Sequence, residues 1–376
     1  MRRPVFVAGR GAVTGFGRGV AALCDAVFAG ETALRERRRT APFRAETTVC
    51  GEFPAGTLDE LELPERDLPL RAAMLAAEEA LDEAGRPDVR SMGVVLATTK
   101  GDMSGICGRG AGLGSPIRLG VMVSEAFGFG LQPTALSCAC ASGVIGIASA
   151  ARRIASGECD RLLVVAADAV NEFILRGFGG MGALDPAACR PFDRERRGVS
   201  LGDGAGAIVL TAAEAESVGV RVRGYSGAND ACHVTGPDYE GLGVGLAARR
   251  AVAHAGLRLD DVDLLHLHAT GTRANDKSEA IGLANAWADV ADRTPPAFGS
   301  KGQTGHTLGA AGVLESLLAI AALERSEVPG NHGLRESDCD PRLDVCERPR
   351  RLARANTALK VASGFGGVQG AAVFSA

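Results

Sequence analysis

The chain has 376 residues, of which 46% are hydrophobic, so it is long and apolar enough for a large core and is neither disordered nor fibrous. Its formal net charge is -4, with acidic and basic residues interspersed, which argues against a protein that binds nucleic acid through its overall charge. Its ten cysteines are scattered without CxxC pairs, a pattern that supports neither a disulfide framework nor a zinc site.

The first predicted element is a strand. The opening residues, MRRPVFVAGRGAVTGFG, contain an apolar run that Arg10 and several glycines interrupt, which is typical of a strand and a glycine turn rather than of a signal peptide. The longest apolar stretch, VLESLLAIAAL from Val313, is too short for a bilayer and contains Glu315. We therefore expect a cytoplasmic protein that does not enter a membrane.

Strand-like and helical segments then alternate along the chain. Runs rich in β-branched residues predict strands within 91–98, 160–168, 204–210, 262–270 and 370–376. Helical periodicity ending in glycine predicts helices within 70–85 and 241–256. The alternation indicates an α/β fold.

A faint internal repeat links two helical segments. CACASGVIGIASAARRIASGECD, from Cys138, and TGHTLGAAGVLESLLAIAALERSEV, from Thr304, each place a reactive side chain before small residues and a helix. A glycine-rich turn and a strand follow each segment at a similar distance. The repeat predicts two halves, 1–212 with the thiol and 213–376 with the histidines, and a site between them.

Cys140 is the candidate nucleophile of the first half. It directly precedes a predicted helix, whose N-terminal N–H groups and dipole favour thiolate over thiol, whereas Cys138 is predicted to lie on the preceding strand. Taken alone, either cysteine is equally well explained as a small apolar core residue.

His268 and His306 lie at a strand end and in a glycine-rich turn, where functional side chains often project into a cleft. A hydrogen-bonded structural histidine is the alternative for each, and His266 is the better candidate for the core. Lys301 lies in an uncharged turn, and Glu315 on an apolar helix is expected to face it.

Six motifs, in the same order, resemble those of the elongating, carrier-protein-dependent β-ketoacyl synthases of the thiolase superfamily. They are VAGRGAVTGFG, CACASG, RPFDRERRGVSLGDGAGAIVL, HATGTRANDKSEA, SKGQTGHTLGAAGVLE and SGFGGVQGAAVF. The resemblance implies a thiolase-like fold of two pseudo-symmetric halves in five αβαβα layers. It also implies decarboxylative Claisen condensation of an enzyme-bound acyl group with a malonyl group on an acyl carrier protein, in fatty-acid-like or type II polyketide synthesis.

The resemblance also implies roles for individual residues, with no metal and no cofactor beyond the carrier's phosphopantetheine. It makes Cys140 the nucleophile, His268 and His306 the catalytic histidines, and Lys301 a further catalytic residue. It implies a gate at Phe365, whose backbone N–H forms an oxyanion hole with that of Cys140. The remaining implied residues are Glu315 and Asp276 in support, Thr270 and Thr272 at the pantetheine, and Val199 in the acyl pocket.

Several positions depart from the family pattern. Val199 stands where phenylalanine commonly lines the pocket, Arg273 stands in place of a proline, and the stretch from Ala97 to Cys140 is short for an elongating member. Residues near the gate also differ, namely Val361, Ser363 and Gln369. The changes at Val199 and near the gate imply an unusual acyl chain. The change at Arg273 implies a different docking of the pantetheine arm or the carrier, and the short stretch implies a different pocket length and dimer geometry. The HAT motif together with NDACHVTGPD resembles synthases of aryl-polyene pathways.

The resemblance implies an acyl carrier protein as partner, and a homodimer or a heterodimer with a chain-length-factor-like subunit. The segment LRERRRTAPFR is a basic landing site for an acidic carrier or a solvated loop, and it contains Arg35, Arg37, Arg38, Arg39 and Arg44. Further candidates for contact with the carrier are Arg66, Arg71, Arg196 and Arg273.

Two alternatives to an active synthase remain: a non-catalytic chain-length-factor-like subunit, and a condensing-fold acyltransferase that forms an ester or amide. The retained cysteine and both histidines favour the active synthase.

Overall fold

A computed structural model describes residues 3–38, 47–59, 67–101 and 115–376. The helices are α1 (Val20–Phe28), α2 (Leu68–Glu83), α3 (Pro116–Phe127), α4 (Ser142–Ala155), α5 (Glu172–Gly180), α6 (Leu242–His254), α7 (Arg273–Trp287), α8 (Lys301–Thr304) and α9 (Ala311–Arg325). Short 3-10 helices occupy Val89–Ser91, Glu214–Glu216, Leu259–Asp261 and Leu308–Ala310. All the segments that the sequence predicts as helical lie within or overlap these helices.

Most strands belong to one long sheet. The strands are β1 (Phe6–Thr14), β2 (Gly17–Arg18), β3 (Arg35–Arg38), β4 (Thr47–Gly51), β5 (Gly93–Ala97), β6 (Thr134–Leu136), β7 (Arg161–Asp168), β8 (Leu201–Gly202), β9 (Gly204–Thr211), β10 (Val220–Asn229), β11 (Leu264–His266), β12 (Ala297–Phe298), β13 (Glu327–Val328), β14 (Arg350–Arg351), β15 (Thr357–Gly364) and β16 (Val368–Ser375). The long sheet has the order β12-β11-β15-β16-β10-β1-β9-β7-β5-β6, with β2 paired to β1.

The strand order is the same on both sides of the sheet's centre. From the edge to the centre, the first half has the order β6, β5, β7, β9 and β1, and the second half has the order β12, β11, β15, β16 and β10. When the strands of each half are numbered along the chain, both orders are third, second, fourth, fifth and first. In both halves the second strand is parallel to its two neighbours and the fifth is antiparallel to its neighbours. The first strands, β1 and β10, join the halves through a short antiparallel pairing. This duplicated topology agrees with the pseudo-symmetric α/β fold expected from the repeat.

Helices form three layers around the two halves of the sheet. Helices α4 and α9 contact strands of both halves and each other, whereas α2 and α3 cover the outer face of the first half. Helix α6 covers the outer face of the second half, and α7 packs on α6. The molecule therefore has the five-layer αβαβα arrangement. Because α9 contacts sheet on two sides, its residues 311–323 are all buried, including Glu315.

The two central helices cross at a pair of glycines. A Cβ atom on Gly312 would lie 2.4 Å from the backbone nitrogen of Val144, and one on Gly143 would lie 2.7 Å from that of Val313. Backbone atoms cannot move aside as a flexible side chain can, so the close approach requires glycine on both helices. The crossing fixes the helix that follows Cys140 against the helix that follows His306.

Replacing Gly312 by alanine is expected to lower the free energy of unfolding by about 1–3 kcal/mol, because the added methyl group overpacks this crossing. Thermal unfolding followed by circular dichroism measures the change. Gly177→Ala is the matched control, since a Cβ on this glycine of α5 meets nothing within 4 Å. An equal melting temperature for both variants would contradict a tight crossing.

Among the described residues, no helix is both long enough and apolar enough to cross a bilayer. The apolar stretch from Val313 lies instead in the central helix α9.

Candidate active site

Cys140 lies in a tight turn between β6 and α4. Strand β6 ends at Leu136, so the prediction that Cys138 lies on this strand is wrong. Ala139 has a φ of 49°, a left-handed conformation that is costly for a residue with a Cβ atom, and it separates the two cysteines. The Ser142 hydroxyl holds the turn: it accepts the N–H of Cys138 at 2.9 Å and donates to the Ala139 carbonyl at 2.6 Å.

Burial controls the ionisation of Cys140. It raises the pKa of the thiol to about 12, and the nearby ammonium group of Lys301 only partly opposes this rise. Burial therefore opposes the stabilisation of the thiolate that the sequence predicts from the helix N-terminus.

His268 and His306 face each other inside the protein. Their ring centroids are 5.4 Å apart and their planes are nearly perpendicular, at 86°. Both residues are buried, and burial together with the charge of Lys301 lowers both pKa values well below the usual range. Both rings are thus neutral near pH 7, and each can donate one hydrogen bond and accept another. His266, as expected, is buried in the core, where its ring packs against Phe298.

Lys301 determines which nitrogen of His268 carries the proton. Its Nζ lies 3.4 Å from His268 Nδ1, and an ammonium group has no acceptor, so Nδ1 accepts and Nε2 carries the proton. Lys301 also donates to the His268 carbonyl and forms the expected ion pair with Glu315. Nδ1 of His306 is buried and has no hydrogen-bond partner in the described part of the chain.

Two further charged residues of this centre did not emerge from the sequence motifs. Lys360 Nζ lies 2.6 Å from Oε2 of Glu315, and the Glu279 carboxylate accepts the N–H groups of His268 and Ala269 at 2.5 and 2.8 Å. A lysine inside the apolar run TALKVASG was the available signal for Lys360. The spacing of Glu279 three residues after Asp276 on one helix face was the signal for the glutamate.

One cavity of about 370 Å³ brings most of the predicted residues together. Those that line it are Cys140, Val199, His268, Thr270, Thr272, His306 and Phe365. Lys301, Glu315 and Asp276 do not line it and are buried behind it. The candidate nucleophile of one half therefore meets the two candidate histidines of the other half at one cavity.

The two threonines are held by a buried carboxylate. Their hydroxyl oxygens are 2.9 Å apart, and Asp276 accepts the Thr270 hydroxyl at 3.4 Å and the N–H of Gly271 at 3.2 Å. Thr272 caps α7 by accepting the N–H of Asn275 at 3.4 Å. Asp276 thus shapes the cavity wall without contacting the space itself.

Phe365 follows β15 and stands at the cavity with 37% of its surface exposed. Its ring stacks on Phe178, with centroids 5.8 Å apart. The preceding Gly364 allows a close approach to the cysteine turn, because a Cβ there would lie 2.9 Å from the Cys138 carbonyl oxygen. A partly exposed aromatic ring therefore stands beside the candidate nucleophile, and its role as a gate stays a prediction.

The three residues near the gate that differ from the family pattern lie in two environments. Ser363 and Gln369 line the cavity, and the Ser363 hydroxyl donates to Oε1 of Gln369 at 2.6 Å. Val361 is buried in the core of the second half and does not line the cavity, so its expected place around the gate is wrong.

The basic segment near the N-terminus is only partly described. Arg35 on β3 is exposed, and Arg37 pairs with Glu52 at 3.1 Å. Outside the described residues lie Arg39, Arg44, Arg66 and the side chain of Arg38.

The other arginine candidates differ in exposure. Arg71 and Arg196 are buried, so their suggested contact with a carrier protein is wrong. Arg196 instead pairs with Asp338 at 2.5 Å and with Asp276 at 3.6 Å. Arg273 is exposed and lines the cavity.

Comparisons with known proteins agree with this geometry. The family described as "Beta-ketoacyl synthase, N-terminal domain" matches residues 2–216, and "Beta-ketoacyl synthase, C-terminal domain" matches residues 220–335. The chain is 30% identical over 404 residues to Nodulation protein E of Rhizobium meliloti, covering 100% of this chain and 99% of the relative. It is 27% identical over 411 residues to 3-oxoacyl-[acyl-carrier-protein] synthase 2 of Coxiella burnetii, with 100% and 99% covered.

A solved structure shares the whole fold. The structure described as "The ishigamide ketosynthase/chain length factor" has a TM-score of 0.88 and 27% identity, and the match covers 100% of this chain and 99% of the other. The duplicated αβαβα fold, the cavity and both family matches lead to one conclusion: the chain belongs to the β-ketoacyl synthase family, the condensing acyltransferases of fatty-acid and polyketide synthesis.

Proposed function

We propose that Cys140 carries an acyl group which the protein condenses with a malonyl group, and that His268 and His306 stabilise the enolate. The observation that carries this assignment is the meeting of one buried thiol and two neutral histidines at a single cavity. A thiol can hold an acyl group as a thioester, and two neutral imidazoles can each donate a hydrogen bond to one carbonyl oxygen.

In the loading step, the Cys140 sulfur attacks the carbonyl carbon of an acyl thioester on the carrier protein. A new carbon–sulfur bond forms, the bond to the carrier's sulfur breaks, and the proton of Cys140 leaves with the carrier thiol. The backbone N–H groups of Cys140 and Phe365 are the proposed donors to the developing oxyanion.

In the condensation step, a malonyl thioester occupies the cavity. Its bond to the carboxylate breaks, carbon dioxide leaves, and the electron pair forms an enolate whose oxygen accepts hydrogen bonds from the two histidines. The enolate carbon attacks the acyl carbonyl, the bond to Cys140 breaks, and the released sulfur takes up one proton. Loss of carbon dioxide makes the overall reaction effectively irreversible, and neither step uses a metal or a nucleotide.

We also propose that an acyl carrier protein delivers both substrates, with its phosphopantetheine arm along Thr270 and Thr272. The name of the Coxiella burnetii relative includes such a carrier, and the ishigamide structure combines a ketosynthase with a chain length factor. Arg273 at the cavity is placed to contact the arm or the carrier. A homodimer and a heterodimer with a chain-length-factor-like subunit are the two proposed assemblies, and mass photometry with and without that subunit separates them.

Incubation with a panel of acyl-carrier thioesters, followed by intact-protein mass spectrometry, tests the proposed reaction. One acyl group per chain is expected, followed by its loss and the appearance of a β-ketoacyl-carrier product when malonyl-carrier is added. The length and unsaturation of the best acyl group identify the substrate class. Failure to form any acyl adduct across the panel would overturn the proposal.

Val199 offers a test of pocket size. It is buried and lines the cavity, so the larger ring of Val199→Phe is expected to reduce turnover of long or rigid acyl chains about tenfold relative to short ones. The ratio of kcat/KM for a long and a short acyl-carrier substrate measures this selectivity. Val199→Ala is the matched control, and an unchanged ratio in Val199→Phe would remove Val199 from the acyl pocket.

A further inference from the structure

Charged side chains hold both peptide groups that flank His268. In the first peptide group, Lys360 Nζ donates to the Leu267 carbonyl at 3.2 Å, and Glu279 accepts the N–H of His268 at 2.5 Å. In the second, Lys301 donates to the His268 carbonyl, and Glu279 accepts the N–H of Ala269 at 2.8 Å. Three ionisable side chains from three different elements thus meet the four polar ends of two consecutive peptide groups.

The fourth member of this cluster is Glu315, which lies between the two lysines. Oε1 pairs with Lys301 and Oε2 lies 2.6 Å from Lys360, and all these side chains are buried. Burying a charge is expensive unless partners surround it, so the positions of the two lysines depend on each other through Glu315. The sheet itself does not require a lysine at position 360, because that residue joins the ladder to His266 and Ala372 through its backbone.

The backbone held in this way is strained. Ala269 has a φ of 51°. Gly299 lies against it in space, and a Cβ atom added to Gly299 would lie only 2.2 Å from the Cβ of Ala269. A left-handed alanine persists only where its surroundings fix it. The same turn points Nδ1 of His268 toward Lys301 and leaves Nε2 as the donor.

We propose that Lys360 is a positioning residue for His268, which fixes its backbone so that Nδ1 accepts from Lys301 and Nε2 donates to the substrate carbonyl. This inference rests on the proposed role of His268 in enolate stabilisation. Lys360 does not line the cavity, so it acts through His268 rather than on the substrate.

The cluster gives this positioning a pH dependence. Burial lowers the pKa of Lys360 to about 8 and raises that of Glu279 to about 7. The charged or titratable groups that influence Lys360 and its neighbours are Lys301, Glu315, Glu279, His266, His268 and His306. Lys360 is charged below its pKa, so its ion pair with Glu315 is present at neutral pH and is lost as the pH rises through about 8.

The test measures kcat and KM for malonyl-carrier decarboxylation between about pH 6 and about pH 9.5 in the full-length protein. Lys360→Met is expected to lower kcat about tenfold or more, to leave KM nearly unchanged, and to remove the alkaline decline near pH 8. Lys277→Met, which removes an exposed lysine on α7, is the matched control and is expected to keep the parent profile.

Lys360→Gln is the second variant, in case Lys360→Met does not fold. It removes the positive charge but keeps a hydrogen-bond donor, and a lower kcat at unchanged KM is expected. A parent-like kcat and pH profile in Lys360→Met, or in Lys360→Gln if only that variant folds, would overturn the inference. The proposed function is tested separately by acyl loading on Cys140, which both variants are expected to retain.

Discussion

Replacement of Cys140 by alanine is expected to abolish acyl loading completely. The thiol is the proposed site of the only covalent bond between protein and substrate, and it lines the cavity with both histidines. The fold is expected to persist, because alanine is small, fits a buried position and suits the residue before the first turn of α4. Intact-protein mass spectrometry after incubation with acyl-carrier thioester gives the stoichiometry, and circular dichroism checks the fold.

Cys138→Ala is the matched control for this experiment. Cys138 lies two residues from Cys140 in the same turn, and its contacts with Ser142 and Ala141 use backbone atoms, which alanine preserves. Turnover in this variant is expected to stay close to that of the parent. An acyl group that still appears on Cys140→Ala, and disappears on Cys138→Ala, would move the nucleophile to the other cysteine.

Replacement of His306 by alanine is expected to lower the rate of malonyl decarboxylation about 10²- to 10³-fold, the effect typical of losing one donor to a developing oxyanion. Burial and the charge of Lys301 lower the pKa of His306, so it is a neutral imidazole at pH 7 that donates one hydrogen bond. Acyl loading is expected to fall much less. Release of labelled carbon dioxide from malonyl-carrier measures the first rate, and mass spectrometry measures the second.

His254→Ala is the matched control for His306→Ala, because it removes a histidine that lies outside the cavity. His254 is half-buried on α6, where its ring packs against Tyr225 at a centroid distance of 4.4 Å, and it does not line the cavity. Decarboxylation in this variant is expected to match the parent. Equal losses of loading and decarboxylation in His306→Ala would assign that residue to the fold or to the thiol rather than to the enolate.

Periodicity and the internal repeat were sufficient to predict the α/β class and the two halves. Local signals worked where one segment carries its own pattern, as in the apolar strand β7 and in the glycine-terminated helices α2 and α6. The motifs around Cys140, His268 and His306 also predicted which side chains share the cavity. Their order along the chain, rather than any single motif, made that prediction specific.

The errors arose where distant segments decide a residue's environment. Cys138 was assigned to a strand because it lies in the apolar run TALSCA, yet the strand ends at Leu136 and Ala139 adopts a left-handed conformation. Arg196 lies in a run of charged residues that is typical of a surface, but Asp276 and Asp338, from elsewhere in the chain, surround it in the interior.

Two members of the charged cluster behind His268, Lys360 and Glu279, were missed for the same physical reason. A lysine on a strand is normally solvated, and only the packing of α9 against β15 brings Glu315 to Lys360. The ionisation of Cys140 also could not be predicted, because the helix N-terminus is visible in the sequence while the depth of burial is not.

The glycine crossing of the two central helices has a consequence for biosynthesis. During synthesis Gly143 leaves the ribosome well before its partner Gly312, which lies much later in the sequence. At the usual rate of synthesis, α4 waits roughly 10 to 30 seconds for α9, with the apolar surface that faces α9 uncovered. The nascent first half is therefore a natural client for chaperones, and expression of that half alone is expected to yield aggregates.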